Sequence, residues 1–163
     1  MKVEGETIRG GIFRDLPRYE MVDDYRIPLR YNFFSVTRNG SREPYARESE
    51  GNAKRLRVGD ADIFLKHGLH TYEIVYQVKD QIRRTEGFDE VYWNVTGNYW
   101  RYPIERSSGT VNMPEGAKLQ LYKAFTGSYG QSGSDARFEQ AGDNAYRFTS
   151  TRAFGYNKRY PPM

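Results

Sequence analysis

The sequence contains no cysteine, which excludes disulfide bonds, thiolate zinc sites and cysteine nucleophiles together. It also lacks any run of about eighteen consecutive apolar residues, so no segment of this chain is predicted to span a membrane. The first residues, Met1 to Glu6, include a lysine but no apolar stretch behind it, and they do not have the pattern of a secretory signal.

The chain also lacks a large net charge and the common catalytic motifs. The chain has 25 basic and 21 acidic residues, and its net charge of +4 gives only a weak indication of anionic partners. No dense basic stripe is present, so nucleic acid is not expected to be a partner. The sequence has neither a G-x-S-x-G nucleophile elbow nor a phosphate loop ending in Lys-Ser/Thr. We therefore predict no catalysis and no cofactor.

Aromatic residues are abundant instead. Fourteen tyrosines, nine phenylalanines and two tryptophans favour the half-buried surface of a β-sheet. A chain of 163 residues fits one domain, and a domain of this size can form a core without disulfides or metal.

Period-two alternation predicts strands throughout the chain, whereas helical periodicity is missing. The clearest strand is Tyr72 to Val78, which places Ile74, Tyr76 and Val78 on one face, expected to lie inside. Further strands are predicted in six segments, which are Arg55 to Val58, Ala61 to Leu65, Glu90 to Thr96, Thr110 to Met113, Lys118 to Phe125 and Tyr146 to Thr151.

A hairpin is predicted where the strand Arg30 to Arg38 meets Asn39-Gly40, because this dipeptide tolerates positive φ angles. Its return arm, Glu43 to Arg47, contains Pro44, which cannot donate to a central ladder and therefore indicates an edge. Gly127 to Asp135 is rich in glycine and serine and is predicted to be an exposed, mobile loop.

Many short strands separated by turns predict an all-β fold, an antiparallel β-sandwich of immunoglobulin-like architecture with little helix. We assign residues 1–154 to this single domain. Residues 155–163 are predicted to be a basic, proline-containing tail.

Two groups of residues are candidates for chemical sites. His67 and His70 have a spacing that suits metal binding on a helix, but a strand would direct them to opposite faces, and no third ligand is indicated. Asp89 and Glu90 lie beside aromatic residues, as acids do in sugar-cleaving sites. Adjacent strand residues point to opposite faces, however, so these two cannot be the facing pair that glycosidases need. No metal site is predicted.

Trp93 and Trp100 present two alternatives. They are candidates for a stacking platform that binds sugars, with Glu90 nearby, or for anchors of the core. Because Trp93 lies in a run that is apolar on both faces, we expect it to be a core anchor.

The most unusual local string is Arg9 to Pro17, in which two glycines and a proline bracket Arg14 and Asp15. It is predicted to be a bent or bulged strand whose Arg14 and Asp15 tie neighbouring backbone together. The alternative is that these two side chains line a cleft.

Together these strings resemble a bacterial family of predicted membrane proteins of unknown function, the YciQ-like type. The string Arg9 to Pro17 is similar to the family signature R-G-I-[FY]-R-D-[FIL]-P. Similar strings follow in the family's order, and the most specific of them lies within Glu90 to Ile104. The resemblance implies an extracytoplasmic β-rich domain that precedes transmembrane helices. The family also has strand-forming sequence before and after the matching region, so this chain is expected to be truncated at both ends relative to it.

The functional expectation combines these observations. We expect an uncharacterised extracytoplasmic binding or interaction domain of a larger membrane-anchored protein, located at the outer face of a bacterial cell membrane. Its partner is expected to be a protein or a cell-envelope polymer, and membrane contact is expected only through other parts of the parent protein. The alternative is a glycan-binding or glycan-cleaving domain. The residues proposed for binding are Arg14, Asp15, Glu90, Trp93 and Trp100.

Overall fold

The computed structural model describes most of the chain, namely residues 1–4, 10–22, 24–97, 100, 102–126 and 133–155. Within these residues all regular elements are β-strands, and they contain no helix. The strands are β1 Lys2–Val3, β2 Ile12–Pro17, β3 Tyr19–Val22, β4 Tyr25–Pro28, β5 Tyr31–Arg38, β6 Ser41–Arg42, β7 Tyr45–Glu50, β8 Ala53–Val58, β9 Gly68–Leu69, β10 Tyr72–Val78, β11 Ile82–Arg84, β12 Asp89–Val91, β13 Ser108–Asn112, β14 Ala136–Gly142 and β15 Ala145–Ser150.

All the strand pairings are antiparallel and form several small sheets, which confirms the all-β, antiparallel prediction. The immunoglobulin-like sandwich stays a prediction. The chain divides into two compact units, of which the first contains Met1–Tyr92 and the second Trp93–Tyr160. The assignment of residues 1–154 to a single domain also stays a prediction, and residues 156–163 of the expected tail lie outside the described residues.

Two three-stranded sheets of the first unit share one hydrophobic cluster. Their strand orders are β2-β8-β7 and β10-β5-β6. Leu16, Leu56 and Val58 of the first sheet and Val36 of the second are buried in this cluster. Partly buried side chains pack around them, namely Ile12, Tyr31, Phe33, Tyr45, Tyr72, Ile74 and Tyr76. The inward placement of Ile74 and Tyr76 is therefore confirmed, and Val78 is half-buried.

A bulge in β5 makes this shared cluster possible. The partner of Tyr76 is Phe33, and the register then shifts so that Phe34 faces no residue of β10. One extra residue reverses the alternation of the strand beyond it. Phe33 and Val36 therefore both reach the cluster although they are three residues apart, and Phe34 is exposed.

The chain passes from one of these sheets to the other at Pro44. The predicted tight turn at Asn39-Gly40 is confirmed, since both residues have positive φ angles, 52° and 81°, and β6 pairs with the end of β5. The predicted return arm Glu43 to Arg47 is wrong as one arm of that hairpin. The Pro44 carbonyl accepts a hydrogen bond from the Gly59 amide at 2.9 Å, and the following strand β7 pairs with β8 as an edge of the other sheet.

The second unit contains a three-stranded sheet of order β13-β15-β14. Phe148 of the central strand lies opposite Phe138 on one side and Gly109 on the other, so these three positions share a face. A Cβ atom at position 109 would lie 2.8 Å from the Val95 side chain, so a glycine is needed for Val95 to pack there.

Two predicted strands are wrong because local hydrogen bonds and packing hold these segments in irregular conformations. Ala61 to Leu65 starts as a turn in which the Asp60 carboxylate accepts a hydrogen bond from the Asp62 amide at 2.9 Å. Lys118 to Phe125 contains no strand, and its Tyr122 ring stacks on an aromatic residue of β14. The segments predicted around Arg55, Thr110 and Tyr146 do overlap β8, β13 and β15.

The predicted strand Glu90 to Thr96 is also wrong beyond Val91, where β12 ends. The side-chain oxygen of Asn94 accepts a hydrogen bond from the Gly97 amide at 2.8 Å, which fixes a turn. Of the predicted loop Gly127 to Asp135, residues 127–132 lie outside the described part of the chain.

Candidate functional site

The residues proposed from the sequence belong to different elements. Arg14 and Asp15 are neighbours in β2, and successive strand residues point to opposite faces. Arg14 lies opposite the buried Leu56 and so shares the face of the hydrophobic cluster, whereas Asp15 lies on the other face. These two side chains therefore do not line one cleft.

Asp15 forms a two-point ion pair with Arg55, which lies directly opposite it on β8. The Nε and Nη2 atoms of Arg55 each donate to one carboxylate oxygen of Asp15, both at 2.8 Å. The two side chains are only 10% and 14% exposed. The sequence predicted that Asp15 ties neighbouring backbone together. Asp15 instead binds a side chain, Arg55, and so joins two strands.

The face around this pair carries further charges. Nη1 of Arg55 lies 3.4 Å from Glu50, and Arg57 lies 3.0 Å from Glu48. The exposed ring of Phe13 lies under the guanidinium of Arg55, 5.0 Å from ring centroid to carbon. This arrangement matches acids with bases across strands, and it indicates a role in joining β2, β8 and β7.

Glu90 lies on β12 and is exposed. Its carboxylate is 3.9 Å from Arg83 on the paired strand, and the same arginine forms an ion pair with Glu20. The glycosidase alternative needs two carboxyl groups facing each other across a substrate. Glu90 faces an arginine instead, which gives it a structural partner.

The expectation that Trp93 is a core anchor is wrong. The residue lies beyond the end of β12, and it is 44% exposed. Trp100 is half-buried, and its indole nitrogen donates to the Thr96 carbonyl oxygen at 2.6 Å. Because β12 ends at Val91, the alternation on which the expectation rested does not extend to Trp93.

The two histidines occupy different environments. His70 is buried, and its Nε2 lies 2.9 Å from the Lys66 carbonyl oxygen, whereas His67 is exposed. No group of three or more histidine, aspartate or glutamate side chains in the described part of the chain is placed to hold a metal ion.

A buried acid in the first unit also has structural partners. Glu43 is 7% exposed, and Nε of Arg38 lies 3.0 Å from its carboxylate. Tyr72 lies opposite Arg38, and burial together with the charge of Glu43 raises the pKa of the Tyr72 hydroxyl. Arg38 is the last residue of β5, close to where the chain passes from one sheet to the other. Its charge compensates the buried carboxylate of Glu43.

An aromatic groove in the second unit is a concave surface that the sequence reasoning missed. Its volume is about 340 Å³, and it is lined by Tyr122, Lys123, Ala124, Phe125, Ser134, Ala136, Phe138 and Phe148. Tyr122 stacks on Phe138 with 3.7 Å between ring centroids, and Phe148 meets Tyr122 edge-on at 5.8 Å. Tyr122 and Phe125 remain 49% and 59% exposed. The groove therefore combines a packed aromatic base with ring surface that is open to solvent.

Hydrogen bonds fix the backbone on both sides of the groove. The Thr126 amide donates to the Gly133 carbonyl at 2.7 Å, and the Thr126 hydroxyl accepts from the Asp135 amide at 2.8 Å. A Cβ atom at position 133 would lie 2.4 Å from the Thr126 carbonyl oxygen, so only glycine permits this approach. Arg152 binds the Asp135 carboxylate at 2.7 Å. These contacts position Phe125 and Ser134, which flank the fixed residues.

The alternation of aromatic residues in the sequence could have indicated the base of this groove. Phe138 lies in the alternating strand β14, and Tyr146 and Phe148 alternate in β15. Tyr122 could not be assigned from the sequence because it reaches the sheet from a segment without regular structure. The two tryptophans that the sequence suggests for a stacking platform, Trp93 and Trp100, are not among the described residues that line the groove.

Comparison with known proteins identifies the family. The family described as "predicted membrane protein (DUF2207) N-terminal domain" matches residues 1–155. The chain belongs to this family. A curated relative, "uncharacterized protein YciQ" of Escherichia coli (strain K12), is 32% identical over 144 residues, which are 86% of this chain and 23% of the relative. The chain thus spans less than a quarter of that relative's length.

The resemblance deduced from the sequence strings is therefore confirmed. No solved structure matches the chain significantly. Among the described residues, none forms a helix long and apolar enough to cross a membrane.

Proposed function

We propose that this chain is a non-catalytic binding domain that a larger membrane-anchored protein presents at the extracytoplasmic face of a bacterial cell membrane. The family description, a predicted membrane protein, supports a membrane-associated parent. The match to 23% of a longer relative supports the idea that other segments of the parent provide the anchor.

The observation that carries the binding role is the aromatic groove. A small-molecule or polymer site is commonly a concave surface lined mainly by apolar and aromatic side chains with a few polar groups. The groove has this composition, with four aromatic rings and the polar side chains of Lys123 and Ser134. Its partner in this proposal is a protein or a cell-envelope polymer.

A binding role without catalysis is supported by the chemistry of the lining. None of the described residues that line the groove is an aspartate, glutamate or histidine. Glycoside cleavage commonly uses two carboxyl groups, one on each side of the scissile bond. Of the glycan alternatives, the groove therefore favours binding over cleavage.

Cysteine labelling tests both the location and the binding role, because the chain has no cysteine of its own. Ser134→Cys places a thiol in the groove, and Glu86→Cys places one at an exposed position of the first unit. Each variant is made in the full-length parent freed of other cysteines. It is then treated with a maleimide that cannot cross the cytoplasmic membrane.

In intact cells we expect Glu86→Cys to be labelled as fast as in purified protein, and Ser134→Cys to be labelled more slowly because a partner occupies the groove. Labelling of Glu86→Cys only after cell lysis would refute the extracytoplasmic location. Equal rates for Ser134→Cys in cells and in purified protein would refute the binding role of the groove.

A further inference from the structure

We propose that the aromatic groove binds an acidic saccharide, with a sugar ring lying against the exposed aromatic surface and its carboxylate paired with Lys123. This inference rests on the proposed binding role of the groove, and it adds the chemical class of the ligand. It follows from the stacking of the rings, the charge of the second unit and the polar groups in the lining.

The rings leave one apolar surface for a ligand. Phe138 is half-buried, because Tyr122 stacks on it at 3.7 Å and Tyr146 lies parallel to it with 5.8 Å between centroids. Tyr122 and Phe125 are about half exposed, so their ring surface is available. A pyranose ring has an apolar C–H face and a hydrated edge, and it suits an open surface where one side of the ligand stays in water.

The charge of the second unit favours an anion. Residues 93–160 contain nine basic and five acidic residues, a net charge of +4, whereas residues 1–92 contain sixteen of each. The whole excess of positive charge therefore lies in the unit that holds the groove. Lys123 is exposed, and within the described residues no carboxylate forms an ion pair with it. An acidic ligand would give this ammonium group its partner.

The polar groups of the lining separate a saccharide from other ligands. A purely apolar side chain in the groove would remove Lys123, Ser134 and the Tyr122 hydroxyl from water without giving them hydrogen bonds, which costs free energy. Sugar hydroxyls supply those hydrogen bonds. A nucleic acid strand needs several cations along its phosphates, and the described residues of the lining include a single lysine.

The test is a titration of the purified chain followed by two-dimensional NMR at low salt. The first probe is trigalacturonate, and the second is its fully methyl-esterified form, which keeps the sugar rings and removes the charge. Tyr122→Ala removes the stacking surface and Lys123→Gln removes the charge. Their matched controls are Tyr25→Ala, an exposed tyrosine of the first unit, and Lys118→Gln, an exposed lysine outside the groove.

Trigalacturonate should shift the resonances of the groove residues and bind more tightly than its ester. Lys123→Gln should weaken trigalacturonate about two- to fivefold, the range of one exposed ion pair, and leave the ester unchanged. Tyr122→Ala should weaken both saccharides at least tenfold, and the two control variants should behave as the parent chain. Since Tyr122 also packs on the sheet, the Lys123→Gln result decides the matter if Tyr122→Ala does not fold.

Four results would each overturn the proposal. They are the absence of binding by either saccharide, resonance shifts that lie outside the groove, equal affinity for the acid and its ester, and tighter binding of octathymidylate or hexaglutamate than of trigalacturonate. If Ser134→Cys is nevertheless protected in cells, only the ligand class is wrong and the binding role of the groove stands.

Discussion

The ion pair between Asp15 and Arg55 allows a quantitative test of whether the charged face of the first unit is structural. Arg55→Met leaves the Asp15 carboxylate almost buried and without its two hydrogen bonds at 2.8 Å. Removing one partner of a buried ion pair typically costs about 3–5 kcal/mol, and we expect a loss of this size in the free energy of unfolding.

Removing the acid of the pair instead of the arginine should cost less stability, because Arg55 keeps a second acidic neighbour. Asp15→Leu leaves the guanidinium 3.4 Å from Glu50, whose side chain is more exposed. We therefore expect a loss of about 1–3 kcal/mol, the cost of leaving a partly satisfied charged group. The double variant, Asp15→Leu with Arg55→Met, removes both charges and should lose less stability than Arg55→Met alone.

Urea denaturation of the three variants, followed by circular dichroism, measures these differences. Arg57→Met is the matched control, because its ion pair with Glu48 is exposed and should contribute less than about 1 kcal/mol. The reasoning is refuted if Arg55→Met changes stability by less than about 0.5 kcal/mol, or if the losses of the two single variants add up in the double variant.

Three further predictions concern the core, metal binding and alkaline pH. Leu56→Ala should lower the free energy of unfolding by about 2–5 kcal/mol because Leu56 is fully buried, whereas Trp93→Ala should cost less than about 1 kcal/mol in the same urea assay. Zinc should neither remain bound through purification nor raise the melting temperature, and a zinc stabilisation that vanishes in the His67→Ala, His70→Ala double variant would contradict this. Burial raises the pKa of Tyr31 above its ordinary value of 10.0, so the protonated form is favoured in the folded state. Stability should therefore hold below pH 10 and fall as the pH rises above it, and Tyr31→Phe should show a smaller fall between about pH 9 and pH 11 in urea melts.

The strands that the sequence predicted well are those in which alternation alone decides the structure. Tyr72 to Val78 was predicted with both ends correct because every second residue is apolar or aromatic and faces the cluster. The turn at Asn39-Gly40 was predictable because few other dipeptides adopt positive φ angles at two successive residues. In both places the local preference and the tertiary packing favour the same conformation.

The errors arose where a single polar contact or a bulge overrides the pattern. The expected strand ends at Val91, before Trp93, and Asn94 then fixes a turn through its side-chain oxygen. The bulge at Phe34 has no signature in the sequence, since Phe33 and Phe34 are adjacent aromatic residues and either could face the cluster. Side-chain hydrogen bonds and bulges depend on the partner strand, which the sequence of one segment does not specify.

The string that first indicated the family, Arg9 to Pro17, is accounted for by folding requirements over the part that the structure describes. Gly11 has a φ angle of 108°, and a Cβ atom there would lie 2.0 Å from the Val58 carbonyl oxygen, so only glycine permits this approach. Leu16 is buried in the cluster, and Asp15 is bound by Arg55 of the paired strand β8. Because these residues are already required for folding, a binding role is not needed to explain the string. The groove is different, because Phe125 is 59% exposed and Lys123 is exposed with no ion pair among the described residues. Exposed side chains of this kind contribute little to stability. The search for a partner should therefore begin at the groove in the second unit.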